Sequence, residues 1–82
     1  MTDFYTFRQL TQAEQLALVF LEGQRLALRV AESGQFVLLY HLPAGFFVEV
    51  WFERLLHDVA EVRSFVKGQP LEPWAELVTL PE

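Results

Sequence analysis

A change of hydrophobic period at Gly23 constrains the fold of this chain more than any other feature of its sequence. Between residues 12 and 22, apolar residues recur at helical spacing, and after Gly23 the pattern has a period of two over several short runs. A period of 3.6 buries one stripe of a helix, whereas a period of two buries one face of a strand. The sequence therefore predicts an α+β fold in which a helix precedes a sheet.

The helix before Gly23 has a start signal and a stop signal in the sequence. Thr11 followed by Glu14 forms a capping-box pattern, in which each side chain accepts a hydrogen bond from a backbone N–H at the helix start. Gly23 is predicted to take the left-handed conformation that commonly ends helices. We therefore expect an amphipathic helix over about 12–22. The segment before it is expected to pack as an extended arm with aromatic residues at Phe4, Tyr5 and Phe7.

Turn residues divide the rest of the chain into four strands and a short C-terminal helix. Ser33-Gly34 predicts a two-residue hairpin turn, and Pro43-Ala44-Gly45 predicts a three-residue loop that ends in a G1 bulge. Because short connections place sequential strands side by side, we expect an antiparallel β-meander. The predicted elements of this single compact domain, residues 1–82, are strands at about 24–32, 35–42, 46–54 and 59–67 and a helix at about 72–79.

The length of the second loop and favourable cross-strand pairs predict registers that give the sheet two unlike faces. The second loop places Leu39 opposite Glu49, and the last hairpin is expected to pair Glu49 with Arg63 as an ordinary ion pair. One face, which we call the helix face because the helix is expected to dock on it, is almost entirely apolar: Phe36, Leu38, Tyr40, Leu42, Phe46, Val48, Val50, Phe52, Val62 and Val66. The reverse face, which we call the mixed face, combines charged and apolar residues, and the first strand is expected to contribute Leu26, Leu28 and Val30 to it.

Net charge and composition argue against several classes of partner. The chain has 82 residues, a net charge of −5 and 6 Lys or Arg residues that form no run. A nucleic-acid-binding protein needs a basic patch to neutralise phosphates, so nucleic acids and anionic membrane surfaces are not expected as partners. No apolar run approaches the roughly 20 residues of a membrane span, and the start does not resemble a signal peptide. A cytoplasmic location is therefore expected.

The ionisable groups do not form a recognisable catalytic or metal-binding set. His41 could act as a general base beside Glu49 and Glu53, but no Ser or Cys nucleophile is placed near it, so an ordinary strand histidine is expected. His57 lies next to Asp58, and two adjacent residues are too few to hold a metal ion. The chain contains no cysteine. We therefore expect neither an enzyme nor a bound cofactor or metal.

The apolar content is large for a chain of this length and favours association with protein. Hydrophobic residues make up 52% of the sequence, more than one small core is expected to bury. We therefore predict a non-catalytic protein-interaction module that self-associates as a homodimer. Its interaction surface is expected on and near the mixed face, at His41, Phe47, Glu49, Trp51, Arg63, Phe65 and Trp74. Either the C-terminal segment or a second copy of the chain is expected to cover part of this face.

Two alternative functions stay open from the sequence. The negative charge suits an acidic neutralising partner of a basic protein, similar in role to an antitoxin or an immunity protein. The mixed face could instead bind a small ligand or hold an active site that uses His41, Glu49, Trp51 and Arg63. The chain looks like one of many small bacterial α+β proteins, but no motif assigns it to a family, and no functional residue is carried over.

Overall fold

Two helices precede a four-stranded antiparallel sheet in the computed structural model, which describes residues 2–53, 58–66 and 74. The elements are α1 (Phe4–Gln9), α2 (Gln12–Glu22), β1 (Gln24–Val30), β2 (Phe36–His41), β3 (Phe47–Phe52) and β4 (Val59–Phe65). The strand order in the sheet is β1-β2-β3-β4, so each strand pairs with its neighbours in sequence. The predicted α+β architecture, helix and meander are confirmed, and the predicted helix at 72–79 lies outside the described residues except for Trp74.

The segment before α2 is a helix, and the extended arm predicted there is wrong. Asp3 precedes α1 in an extended conformation, and its Oδ1 accepts a hydrogen bond from the Thr6 backbone N–H at 2.8 Å. An acidic N-cap of this kind satisfies one of the N–H groups that a helix start leaves without a partner. The hydrogen bond from the Thr6 backbone lowers the pKa of the Asp3 carboxyl from its usual value of 3.8. The helix places Phe7 in the core, where it is fully buried.

Helix α2 starts as predicted but ends differently. The Glu14 N–H donates to Thr11 Oγ1 at 3.2 Å, and the Thr11 N–H donates to Glu14 Oε1 at 3.0 Å, which completes the capping box. Gly23, which ends the helix, has an extended backbone (φ −76°, ψ 144°) and not the predicted left-handed one. Glycine is needed because a Cβ atom would lie 2.6 Å from the Val19 carbonyl oxygen and 3.2 Å from Tyr40 Cδ1. Close packing against the last turn of α2, and to a lesser degree against β2, rather than a positive φ, therefore selects this residue.

The two hairpin loops have the same length and the same hydrogen bonds. In the loops 31–35 and 42–46, the first residue donates its N–H to the carbonyl of the last at 2.9 Å. In each loop the fourth residue is a glycine with a positive φ, 89° at Gly34 and 97° at Gly45. The three-residue loop predicted for the second hairpin is confirmed. The two-residue turn predicted for the first is wrong, because its loop has three residues as well.

The registers of the last three strands agree with the prediction, and the register of β1 does not. Leu39 lies opposite Glu49, as the second loop predicts, and Glu49 lies opposite Arg63, as the pairing of opposite charges predicts. In β1, however, an irregularity between Arg25 and Ala27 shifts the pairing with β2 by one residue. A shift of one residue moves every later side chain of a strand to the other face of the sheet.

The bulge of β1 therefore exchanges the faces of its side chains. Leu28 and Val30 pair with residues of the helix face and lie on that face, so their predicted place on the mixed face is wrong. Arg29 lies on the mixed face instead, opposite Val37. Leu26, at the bulge, does pack against the cluster of the mixed face as predicted.

Each face of the sheet carries its own cluster of buried side chains. The helix-face cluster joins both helices to the sheet and consists of Phe7, Val19, Tyr40, Leu42, Phe46, Val48 and Val50. The mixed-face cluster consists of Val37, Leu39, Phe47, Phe65 and Trp74. Helices thus pack on one face, and the C-terminal segment contributes Trp74 to the other.

Candidate functional site

Glu49 lies in the middle of β3 and places a buried negative charge on the mixed face. The residue is 4% exposed. Trp51 Nε1 donates to its Oε1 at 3.1 Å, and Trp74 Nε1 donates to its Oε2 at 2.7 Å. Arg29 Nη2 lies 3.8 Å from the same Oε2 and forms an ion pair with it. A buried carboxylate is strongly destabilising unless donors and a counter-charge surround it, and these three residues supply both.

The Arg29 side chain links the two indoles to this carboxylate. Its guanidinium carbon lies 5.3 Å from the centroid of the Trp51 ring and 5.1 Å from that of the Trp74 ring. A cation over an indole contributes about 0.5–2 kcal/mol, with the larger values where water is excluded. The Arg29 Nε is buried without a hydrogen-bond partner among the described residues, a cost that the ring contacts and the ion pair offset. We call these four side chains, Arg29, Glu49, Trp51 and Trp74, the Glu49 cluster.

Arg63, the predicted ion-pair partner of Glu49, does not form that pair. It lies opposite Glu49 in the register, but its Nη2 is 2.7 Å from Glu61 Oε2. Its guanidinium carbon lies 4.4 Å from the centroid of the Trp51 ring. The bulge in β1 explains the difference, because it brings Arg29 to the mixed face, where Arg29 takes the position beside Glu49.

The predicted interaction residues lie in three different environments. Four of them are buried within the chain: Phe47, Glu49, Phe65 and Trp74. His41 and Trp51 are half-buried, and Arg63 is exposed. The Phe47 ring stacks on the Phe65 ring with centroids 5.7 Å apart, and the His41 ring lies 5.0 Å from Phe47. The sequence left open whether the C-terminal segment or a second copy of the chain covers part of this face. In the structure, Trp74 of the C-terminal segment packs on it.

The candidate acid–base groups do not come together in one site. His41 lies against the Phe47 ring at one end of the sheet, whereas Glu53 follows the other end of β3. Both oxygens of Glu49 accept hydrogen bonds from the indole N–H groups of Trp51 and Trp74. The arrangement therefore gives no specific support to a catalytic role for His41, Glu49 and Glu53.

The helix face has an opening at the end away from the 42–46 loop. Both helices pack near that loop: the Phe7 ring lies 5.2 Å from the Phe46 ring, and the Phe20 ring lies 6.0 Å from the Tyr40 ring. At the opposite end is a groove of about 380 Å³ lined by Leu28, Phe36, Leu38, Phe52 and Glu53. We call this groove, together with the neighbouring Val30, the open end of the helix face.

The lining of the groove is apolar except at its rim. Glu53 is the charged residue of the lining, and its Oε2 accepts a hydrogen bond from Gln35 Nε2 at 3.3 Å. Leu28 and Val30 are 56% and 57% exposed, although both lie on the apolar face of the sheet. An apolar surface of this kind binds other apolar groups, and the described residues that line it include neither a nucleophile nor an acid–base pair.

Sequence reasoning missed the open end because it let a single helix cover the whole helix face. The two helices have 6 and 11 residues. At 1.5 Å per residue, even an 11-residue helix spans only about 16 Å. The short predicted helix was the signal that part of a four-stranded sheet would stay uncovered.

Neither a metal site nor a membrane span is found in the part of the chain that the structure describes. Its His, Asp and Glu side chains form no group of 3 or more that could hold a metal ion, and none of its helices is long and apolar enough to cross a membrane. Comparison of the chain with protein-family models, with curated proteins and with solved structures finds no match. The geometry of the two faces is therefore the basis for a functional proposal.

Proposed function

We propose that the protein is a non-catalytic protein-interaction module that self-associates through the open end of its helix face. The observation that carries the proposal is the exposure of Leu28 and Val30 beside an apolar groove. Single exposed apolar side chains are common on protein surfaces, but adjacent ones that continue an apolar groove mark sites of protein contact. Leu28 and Val30 lie on one face of one strand and so belong to one surface.

The rim of the open end has the polarity expected of a protein interface. Three acidic residues, Glu32, Glu53 and Asp58, are exposed in the loops at this end of the sheet. The Glu53 N–H donates to the Asp58 carbonyl at 2.8 Å, which holds two of them close together. Interfaces commonly combine an apolar centre with a polar rim, and this arrangement supports the proposal.

Sedimentation velocity over a concentration series tests self-association. We expect the wild-type chain to sediment as a dimer at tens of micromolar and to dissociate on dilution. Val30→Lys places a charge in the contact and is expected to leave a monomer. Val66→Lys is the matched control. Val66 follows β4, the edge strand opposite β1, and is 48% exposed, so the Val66→Lys variant should still form a dimer. A wild-type chain that stays monomeric at every concentration would overturn the proposal, provided that circular dichroism shows it to be folded.

A second candidate function is that of an acidic neutralising partner of a basic protein. The acidic rim of Glu32, Glu53 and Asp58 beside an apolar groove favours it, because a basic partner could pair with the rim and place an apolar side chain in the groove. A basic protein encoded beside this one, forming a complex that Glu53→Gln weakens, would support this candidate. If no basic protein is encoded beside this one, the neutralising-partner function loses its support.

A further inference from the structure

The edge of β1 indicates how two copies would dock, and this inference rests on the self-association proposed above. We propose that two copies pair antiparallel through their β1 edges, so that their sheets join into one continuous sheet. Leu28 of each copy then lies opposite Val30 of the partner subunit. Arg25 of each copy lies beside Glu32 of the partner subunit.

Strand β1 has a regular stretch with a free edge. Among the described strands, it pairs with β2 on one side and has no neighbour on the other. The edge of a sheet presents unpaired N–H and C=O groups that can pair with another strand, unless charges, prolines or bulges protect them. The bulge of β1 lies near its start, and from Ala27 to Val30 the pairing with β2 is regular. The helix-face side chains of this stretch are apolar and exposed.

Strand β4, the opposite edge, is less suited to such a contact. Its middle carries Glu61 and Arg63, whose exposed side chains form an ion pair at 2.7 Å. Its pairing with β3 is interrupted by a register shift between Trp51 and Phe52. Exposed charged side chains in the middle of an edge strand disfavour the addition of another strand, whereas Arg29 in the middle of β1 is largely buried and paired with Glu49. The contrast between the two edges therefore favours β1.

Charges at the two ends of β1 favour one direction. Arg25 pairs with Tyr40 and so lies on the helix face, and Glu32 follows the strand at its other end; both are exposed. Antiparallel pairing brings the Arg25 end of one copy against the Glu32 end of the other, and does so twice because the contact is symmetric. Parallel pairing would instead place like charges together, which is destabilising.

The bulge also makes the charge pairing and the apolar pairing compatible in one register. Glu32 follows Arg25 by seven residues in the sequence. Because the bulge leaves one residue, Leu26, without a pairing position of its own, the two are only six pairing positions apart. The register that sets Leu28 opposite Val30 of the partner subunit is therefore also the one that brings Arg25 beside Glu32 of the partner subunit. Opposite charges then flank an apolar centre on the helix face.

The same register sets Arg29 opposite its own copy on the mixed face. Two like charges would oppose association if they were free. Each Arg29, however, forms an ion pair with Glu49 and lies over the Trp51 and Trp74 rings of its own chain. The Glu49 cluster therefore compensates the cation at the centre of the proposed contact.

Charge reversal at the two ends of β1 tests this geometry by sedimentation velocity. Arg25→Glu and Glu32→Lys each place like charges side by side at both ends of the contact, and each homodimer is expected to weaken at least about tenfold. An equimolar mixture of the two variants has opposite charges at both ends, so a heterodimer of wild-type affinity is expected. Arg63→Glu on β4 is the matched control and should leave the dimer Kd unchanged.

Three outcomes would contradict one claim or the other. If Arg25→Glu dimerises with the Kd of the wild type, and the equimolar mixture of the two variants dimerises no more tightly than either variant alone, the β1 geometry is wrong but self-association stands. If Arg63→Glu weakens the dimer and the β1 variants do not, the contact lies at β4, and the proposed geometry is wrong. A folded wild-type chain that is monomeric at every concentration would overturn self-association, and this inference with it.

Discussion

The two faces of the sheet are covered in different ways. On the helix face, two helices pack near the 42–46 loop and leave a groove around Leu28 and Phe36 at the other end. On the mixed face, Trp74 packs into a cluster of buried strand residues and donates a hydrogen bond to Glu49. Trp74 thus covers part of the face with the more polar residue pattern, whereas the nearly all-apolar face has a groove.

This difference shows that the polarity of a face does not by itself predict its exposure. A carboxylate can lie in a covered face when hydrogen-bond donors and a cation lie there as well, as Trp51, Trp74 and Arg29 do around Glu49. An apolar face stays partly exposed when the helices that pack on it are too short to cover it.

The largest effect is expected from removing the Trp74 side chain. Trp74→Ala deletes a fully buried indole from the mixed-face cluster, together with a hydrogen bond to Glu49 and one of the rings over Arg29. We expect it to lower the free energy of unfolding by about 3–5 kcal/mol in urea denaturation. Trp74→Phe keeps most of the apolar contact but not the N–H, and should cost about 1–3 kcal/mol. Unchanged stability in Trp74→Ala would show that the mixed face does not depend on this residue.

Two leucines give a direct comparison between the faces. Leu39 is fully buried in the mixed-face cluster, whereas Leu28 is 56% exposed at the open end. Leu39→Ala is expected to cost about 2–5 kcal/mol of unfolding free energy, and Leu28→Ala less than about 1 kcal/mol. Denaturation at protein concentrations that keep the chain monomeric separates these effects from any effect on association. Equal losses at the two positions would contradict the contrast between a covered mixed face and an open helix-face end.

The Glu49 cluster can be compared with the exposed ion pair on the same face. Glu49→Gln removes the negative charge beside Arg29 while keeping the size of the side chain, and should cost about 2–3 kcal/mol of unfolding free energy. Glu61→Gln is the matched control, since the side chains of Glu61 and Arg63 are 50% and 53% exposed. An exposed pair of this kind contributes about 0–1 kcal/mol. If the control lost as much stability as Glu49→Gln, burial of Glu49 would not be what makes its ion pair important.

The smallest effect is expected at the starts of the two helices on the helix face. Backbone hydrogen bonds from Thr6 and Thr11 lower the pKa of Asp3 from its usual 3.8 and that of Glu14 from its usual 4.5. Because each pKa is lower in the folded state, the caps stabilise fully above the unfolded values, and this contribution is lost as the pH falls through the folded values. Amide exchange at Thr6 and Thr11 should therefore speed up below about pH 4, relative to the intrinsic rate. Glu14→Gln removes the titrating acceptor of the Thr11 N–H and should abolish the response at residue 11 alone. A pH-independent protection factor at Thr6 would contradict the role of Asp3.

Elements with local signals could be predicted from the sequence. The capping box of Thr11 and Glu14 marked α2, and the glycine at the end of the 42–46 loop marked the register of β2 and β3. Helix α1 also has a local signal in the sequence, because Asp3 is a favoured N-cap residue. Its side chain accepts a hydrogen bond from the Thr6 N–H. These features depend on residues close together in the chain.

The bulge in β1 could not be predicted, and two further errors follow from it. No Gly or Pro marks the irregularity between Arg25 and Ala27. It nevertheless moves Leu28 to the helix face and Arg29 to the mixed face, which determines both the exposed apolar edge and the ion-pair partner of Glu49. The position of Trp74 over the mixed face likewise depends on contacts with strands distant in sequence, for which a single sequence has no local signal.

Hydrogen–deuterium exchange at low and high protein concentration tests most directly whether the open end and the β1 edge are the contact surface. If two copies pair through β1, amide protection from Ala27 to Val30 should rise with concentration in step with dimer formation. Exchange in β4 and around Glu49 should stay the same, because β3 and β4 lie away from the β1 edge in the sheet. Protection that rises in β4, or protection in β1 that does not change while the chain dimerises, would show that β1 is not the contact.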